Sequence, residues 1–386
     1  MRFCEVCQSE CITQIHRQLF FFPGINDELF YTIVLCNKCG FLYADDISSQ
    51  KYLNSFYQEA EHHLHSFDIP KKLEEIHADF FKYIKKSIPN VLNMNILDVG
   101  SSMGHFLNHF KQEGVKNILG LEPSLSAKDL AWKHYGIEIE SKNIHDFYTD
   151  KKFDLITLCG VLEHLSALKE TINKLNELLE EGGYLFIAVP DVESFGDIVL
   201  KEPFLEFSLE HINFFSKISL ENIFKSSEFE VVCYKSQYYE FYNNNYLMLV
   251  LRKVSKKSVV PALQVDTESK ASLKEYIKNS QVLLNRVEEK IKVLLSTQEP
   301  VIIWGAGGYA TKLCAMTELR NLNLLGFIDQ NSQLQNKKLL GRNIYPPKWI
   351  LSNPGCTILI VSSTYVEEIK RDLLHKYFWK GNIESL

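Results

Sequence analysis

Hydrophobic positions change period several times along this chain, and each change marks an element. The middle third holds short apolar runs flanked by turn residues. They are Ile96-Leu97-Asp98-Val99, Ile118-Leu119-Gly120-Leu121, Ile137-Glu138-Ile139, Phe153 to Leu158 and Tyr184 to Pro190. Such runs predict strands covered on both faces. Helical patterns lie between them, after Glu122 through Lys133 and over Lys169–Leu179, with Gly182-Gly183 predicting a turn after the latter. Strands alternating with helices predict a parallel, doubly wound sheet. The alternating stretches Glu230–Tyr234 and Leu247–Leu251 predict antiparallel strands that close it.

The flanks read differently. Phe20-Phe21-Phe22 and Tyr31 to Leu35 predict strands near the N-terminus. Residues 48–90 read as helical, most clearly from Lys72 to Ile88, where Leu73, Ile76, Phe80, Phe81, Ile84 and Ile88 recur with a helical period. His62, His63 and His65 sit in polar surroundings without repeating spacing and predict a solvated or substrate-facing loop. Lys253 to Glu268 is polar, is broken by Pro261 and predicts a linker. A long amphipathic helix follows over Ser269–Ser296, too short to favour a coiled-coil seam. A second strand-loop-helix unit begins at Val301. Its strands continue at Leu324 to Asp329 and Thr357 to Ser363, with a helix from Val366.

Composition narrows the class without naming it. The 386 residues are 46% hydrophobic and 23% charged, as in ordinary globular proteins, and suffice for two or three domains. A net charge of −6 favours neither nucleic acid nor an anionic membrane. No apolar run reaches the roughly 18 residues of a membrane span, and Met1-Arg2-Phe3-Cys4 opens no signal region, so a cytoplasmic protein is expected. Four of nine cysteines form two C-x-x-C knuckles, Cys4/Cys7 and Cys36/Cys39. Four thiolates in tetrahedral array suit a structural Zn²⁺ in a zinc ribbon. Cys11 breaks the paired spacing and is a spare ligand only.

The richest motif is Asp98-Val99-Gly100-Ser101-Ser102-Met103-Gly104, between a strand and a helix. A second strand then ends on Glu122-Pro123, about 20 residues on, where an acid suits two ribose hydroxyls. Ser102 replaces the middle glycine that a dinucleotide pyrophosphate needs. The D-x-G-x-x-x-G loop with its Glu-Pro resembles the S-adenosylmethionine site of class I methyltransferases. The resemblance implies cofactor contacts from Asp98, Gly100, Ser101, Gly104, Glu122 and Pro123. Asn143 and Ile144 fall where adenine is held, and Cys159 ends the fourth strand.

The order of parts gives the fold class. It is α/β, with an N-terminal zinc ribbon (1–50), a central class I methyltransferase, Rossmann-like domain (51–252), a linker and long helix (253–298) and a small C-terminal Rossmann-like α/β domain (299–386). This order resembles the nucleotide-sugar C-methyltransferase family over nearly the whole chain. Such enzymes deprotonate a 4-keto sugar nucleotide beside its carbonyl and methylate the enolate from S-adenosylmethionine. The family's catalytic glutamate-histidine pair matches Glu210-His211, and a further histidine matches His164. A family tyrosine two residues earlier is Ser208 here, a shorter and less acidic hydroxyl, and Tyr57 lies in the region of an upstream one. His211 reads as a general base oriented by Glu210, or as a histidine buried in the aromatic core of Phe207, Phe214 and Phe215.

The resemblance implies a small-molecule nucleotide-sugar substrate, no nucleic acid, no membrane, and a monomer or homodimer. O-methylation of a sugar or other hydroxyl metabolite is the alternative that Ser208 supports. A zinc-ribbon scaffold that merely retains a nucleotide fold is a third reading, which the intact Asp98, Gly100, Gly104 and Glu122 oppose. Gly305-Ala306-Gly307-Gly308-Tyr309-Ala310, with Asp329 ending the next strand, carries a G-x-G-x-x-A form. Gly305, Gly307, Tyr309 and Asp329 read either as a cradle for the substrate's nucleotide, across a cleft from the methyltransferase domain, or as a purely structural nucleotide fold.

Overall fold

The computed structural model describes residues 2–21, 24, 28–47, 69–225, 227–254 and 262–386. Tyr57, His62, His63, His65 and Pro261 lie outside them. The chain divides into two compact units. The first comprises residues 1–15, 33–198 and 210–275, and the second residues 16–32, 199–209 and 276–386.

In the N-terminal region β1 (Ile12–Phe21) and β2 (Glu28–Cys36) run from one unit into the other. The latter is followed by β3 (Leu42–Asp45). The first unit's main sheet contains β4 (Ile96–Val99), β5 (Ile118–Leu121), β6 (Ile139–Glu140), β7 (Phe153–Cys159) and β8 (Leu179–Pro190). A two-residue strand β9 (Asn213–Phe214) pairs antiparallel with β3, and β10 (Phe229–Tyr239) and β11 (Asn244–Lys253) complete the main sheet. Its order is β10-β11-β8-β7-β4-β5-β6. Strands β4 to β8 pair in parallel, whereas β11 inserts antiparallel between β8 and β10.

Alternation along these strands divides the core. Leu97, Val99, Ile156, Leu158, Leu185 and Ile187 pack on one face, and Ile96, Leu155, Phe186, Met248 and Val250 on the other. Both faces are apolar because both are covered. The chain leaves β4 towards β5 on one side and reaches β7 on the other, which opens a crevice at the strands' C-terminal ends.

Two expectations shift. Gly182-Gly183 lies within β8 rather than in a turn before it. Pairing with β7 jumps from Phe153–Leu179 to Leu155–Tyr184, so the glycines sit in a bulge, with Gly182 at φ +76°. Residues 262–268 are pinned rather than linker-like, since Asp266 donates its N–H to the Cys39 carbonyl and its carboxylate caps the next helix through the Ser269 N–H and hydroxyl. That helix, Ser269–Thr297, begins in the first unit and ends in the second.

The second unit contains β12 (Val301–Trp304), β13 (Leu324–Ile328), β14 (Lys338–Leu339), β15 (Arg342–Tyr345), β16 (Thr357–Ile360) and β17 (Ile383–Ser385) in the order β14-β15-β13-β12-β16-β17. All pairs are parallel except β14–β15. Among the described residues no helix is long and apolar enough to cross a membrane.

Candidate active site and cysteine centre

The glycine turn after β4 forms because its residues leave ordinary backbone space. Gly100, Ser102 and Gly104 have φ of +73°, +46° and +79°. A Cβ on Gly100 would lie 2.5 Å from Val161 Cγ2, so only glycine fits. Glu122, just beyond β5, reaches back across the turn. Its carboxylate accepts the Ser102 and Ser124 N–H groups, each at 3.1 Å. Asp98 is buried within β4 and accepts the Thr157 hydroxyl at 2.6 Å. Burial, with a smaller push from Glu122, raises its pKa to about 7 against the opposing Thr157 bond.

These residues open onto a cavity of about 520 Å³ in the first unit. Asp98, Gly100, Ser101, Glu122, Pro123, Asn143, Ile144 and Cys159 all line it. Gly104 does not. It caps the helix His105–Gln112 and a Cβ there would touch Ala131 and Ile137, so its need for glycine is conformational rather than an approach to ligand. His164, Glu210 and His211 line the same cavity; Ser208 does not, and belongs to the second unit.

The histidines are placed by a staple that the sequence hardly signals. A short 3₁₀ turn, Leu162–His164, follows β7. The Ile212 N–H donates to the Glu163 carbonyl at 3.0 Å, and the Asn213 amide donates to the Leu162 and Leu165 carbonyls at 3.2 and 2.8 Å. The His164 Nδ1 is 2.9 Å from the Glu210 carbonyl, and the His164 and His211 rings lie 4.9 Å apart. Beside them is Glu163, only 2% exposed, whose Oε1 is 3.9 Å from His164 Nε2 and whose Oε2 has no hydrogen-bond partner. No motif or periodicity in the sequence singles out Glu163. The available signal was a carboxylate inside the apolar run Val161-Leu162-Glu163-His164-Leu165, which burial would force to find a partner.

The cysteines converge as their spacing implies. The Sγ atoms of Cys4, Cys7, Cys36 and Cys39 lie within 4.8 Å of one another. Two of the pairs, Cys4–Cys39 at 3.5 Å and Cys7–Cys36 at 3.4 Å, stand far too long for disulfides, and all four cysteines are free. Thiolates about 2.3 Å from a tetrahedral ion would stand roughly 3.8 Å apart, so the quartet fits Zn²⁺. Cys11 stands outside it, exposed, with Asn37 donating to its sulfur. Strand β3 leaves this knuckle and pairs with β9, immediately after His211. The Arg2 guanidinium ties the same strands together, donating to the Ala44 and Ile212 carbonyls and the Asn213 side chain. The cysteine lobe therefore holds the segment that carries His211.

In the second unit Gly305, Gly307, Tyr309 and Asp329 line a cavity of about 450 Å³. Asp329 accepts the Ala306 N–H at 2.8 Å and the Asn331 N–H at 2.8 Å. The charged lining is Glu202, Asp329 and Glu368, with no lysine or arginine among its described residues. An anion there would meet carboxylates, which argues against the diphosphate cradle and for the structural reading.

Comparison with known proteins is consistent with this geometry. Residues 63–234 match the family described as "Methyltransferase domain", and residues 297–379 match "C2185-like, N-terminal". A tRNA U34 carboxymethyltransferase of Nautilia profundicola is 28% identical over 149 residues, 34% of this chain and 48% of that protein. The mitochondrial ubiquinone biosynthesis O-methyltransferase of Dictyostelium discoideum is 25% identical over 111 residues, 25% of this chain and 35% of that protein. The chain thus spans about half or less of the curated relatives it matches. A solved 1,6-didemethyltoxoflavin-N1-methyltransferase of Burkholderia thailandensis aligns over 61% of this chain and 100% of its own, at 14% identity and a TM-score of 0.43. The chain carries a class I S-adenosylmethionine-dependent methyltransferase domain.

Proposed function

We propose that this methyltransferase domain transfers the methyl group of S-adenosylmethionine to carbon, beside the ketone of a nucleotide-linked 4-keto sugar. One observation carries the reading: the cofactor-type loop with Glu122 and the cluster Glu163, His164, Glu210 and His211 line one cavity. A sulfonium methyl reacts with a lone pair or carbanion in line with it. A ketone's α-carbon supplies one only after losing a proton, and the resulting enolate oxygen needs an electropositive partner. The cluster offers both kinds of group, a proton acceptor and a partner for the oxygen. The cysteine quartet holds a structural zinc that steadies the His211 segment.

O-methylation is the second reading, favoured by the relative named for ubiquinone biosynthesis; Ser208, which stands where the family has a tyrosine, is outside the cavity lining and lends it no support. The relatives named for tRNA make nucleic acid a further acceptor to test. The test offers nucleotide sugars, free sugars and other small hydroxyl compounds, and tRNA with the methyl donor, and locates the new methyl by mass spectrometry. Solvent deuterium exchange into a 4-keto sugar nucleotide accompanies it. The wild type should exchange the proton at the reacting carbon, and His211→Ala should not while still binding S-adenosylmethionine. A methyl found on oxygen would promote the second reading, and one found on tRNA would replace both.

A further inference from the structure

We infer that Glu163, His164 and His211 form a second metal site, for a divalent first-row transition ion, within the methyltransferase cavity. One atom from each of the three side chains lies within 4.8 Å of the others, among residues drawn from two separated stretches of chain. Two independent observations point to a cation. The first is Glu163 itself: it is 2% exposed, lines the cavity, and its Oε2 has no hydrogen-bond partner. A buried carboxylate oxygen left so is costly unless something positive meets it.

The second is the tautomer of His164. Its Nδ1 faces the Glu210 carbonyl at 2.9 Å, and a carbonyl can only accept, so Nδ1 carries the proton. In the neutral ring Nε2 then presents a lone pair, and it faces the Glu163 carboxylate at 3.9 Å. Two acceptors facing each other at this distance are relieved by a positive centre between them, a metal ion or a proton on either group. A ring N–H held by a backbone carbonyl is also the outer-shell arrangement that fixes metal-binding histidines.

The spacing suits an ion after a small closure. Ligand atoms about 2.1 Å from one ion stand roughly 3.0–3.4 Å apart. Two imidazoles and one carboxylate suit Zn²⁺, Fe²⁺, Co²⁺ or Mn²⁺ and leave coordination positions open to a ligand's oxygen. The cysteine quartet is chemically distinct, since four soft thiolates discriminate against Mn²⁺.

The site rests on, and deepens, the proposed reaction. A ketone oxygen bound to the ion would be polarised. The α-proton would pass to the Glu210 carboxylate, whose residue lines the same cavity. The carbon's electron pair would take the methyl group, and the sulfonium would leave as the neutral thioether S-adenosylhomocysteine. His211 would then be a ligand rather than the base.

Metal counting on the full chain tests this, with calorimetric S-adenosylmethionine binding as the check of fold. After saturation with Zn²⁺ and desalting, the wild type should hold two ions, and Glu163→Gln and His211→Ala one each, the one in the cysteine quartet. Titration with Mn²⁺, followed by the electron paramagnetic resonance of the free ion, should show one site in the wild type. Either variant should weaken it at least about 10–100-fold, the range already seen when only outer-shell partners are lost. If Glu163→Gln does not fold, the half-buried His164→Ala and His211→Ala carry the test. One zinc in the wild type and no Mn²⁺ site, or a site unchanged in the variants, would overturn the inference. It would leave the methyltransferase reading standing if S-adenosylmethionine still binds. A metal site without S-adenosylmethionine binding would do the reverse.

Discussion

Each unit builds its cavity on the same local plan of strand, glycine turn, helix, second strand and acid. In the first, Gly100 turns the chain and Glu122 crosses to the Ser102 N–H; in the second, Gly305 turns at φ +117° and Asp329 crosses to the Ala306 N–H. The plan therefore does not separate a ligand site from a structural one. What differs is unmet polar demand. The first cavity is lined by Ser101, His77 and Glu163, each with a buried side-chain atom lacking a hydrogen-bond partner. The second has no such atom among its described lining residues, because Glu202 pairs with Lys312 and Ser363 at 3.2 and 2.7 Å. A cavity prepared for a ligand keeps donors and acceptors in reserve, and one that is part of the fold uses them up.

The largest break in the comparison comes from the cysteines, which only the first unit has as a quartet. Cys36→Ser should release zinc and unpin β3 and the His211 segment, while the main sheet stays folded. Metal analysis and hydrogen exchange would read this, with protection lost over residues 36–45 and 211–215 and kept over β4 and β7. Next comes the pair of acids. Glu122→Ala should lower S-adenosylmethionine affinity at least about a hundredfold, since two charge-assisted bonds are worth roughly 1.5–3 kcal/mol each. Asp329→Ala should leave it unchanged. Equal effects by calorimetry would erase the distinction between the two sites.

Asp98 sharpens the contrast through pH. Its folded pKa of about 7 lies above the ordinary carboxylate value, so its protonated form is favoured by folding. Its contribution is fully present below about pH 4 and is lost as pH rises through about 7. Asp98→Asn should flatten the pH dependence of stability over that window by roughly 2–4 kcal/mol. Denaturant melts at several pH values would show it, and a slope unchanged in the variant would mean that Asp98 is ionised throughout.

Contiguous chemistry was readable in the sequence. The loop from Asp98 to Gly104 and the acid Glu122 form one local motif, and the paired C-x-x-C spacing brings its sulfurs together in space. The Glu163–His211 meeting was not legible, because it depends on hydrogen bonds spanning almost fifty residues and on a strand of two. No periodicity shows in so short an element. The bulge at Gly182-Gly183 was missed because a glycine pair signals a departure from regular backbone without saying which. The acidity of the second cavity is illegible in the sequence for another reason: Glu202 is distant along the chain from the loop it lines.

The smallest expected effect tests the second cavity most finely. Gly305 and Gly307 look equivalent in the motif but differ in space. A Cβ on Gly305 would lie 2.4 Å from the Val361 carbonyl oxygen, at a φ of +117° that side chains avoid. A Cβ on Gly307 would meet nothing within 4 Å, and its φ is −83°. Gly305→Ala should therefore cost about 2 kcal/mol or more. Gly307→Ala should change stability by less than about 1 kcal/mol, with either sign, since the unfolded chain also loses freedom. Gly307 would matter only if a ligand's phosphate came close to its backbone. Asp329 and Glu368 in the lining, beside a Glu202 already paired with Lys312, make that unfavourable, so the nucleoside diphosphate affinity of the full chain should not respond to Gly307→Ala. A marked loss of that affinity, with stability and S-adenosylmethionine binding intact, would place a phosphate against this loop and restore the second cavity as a ligand site.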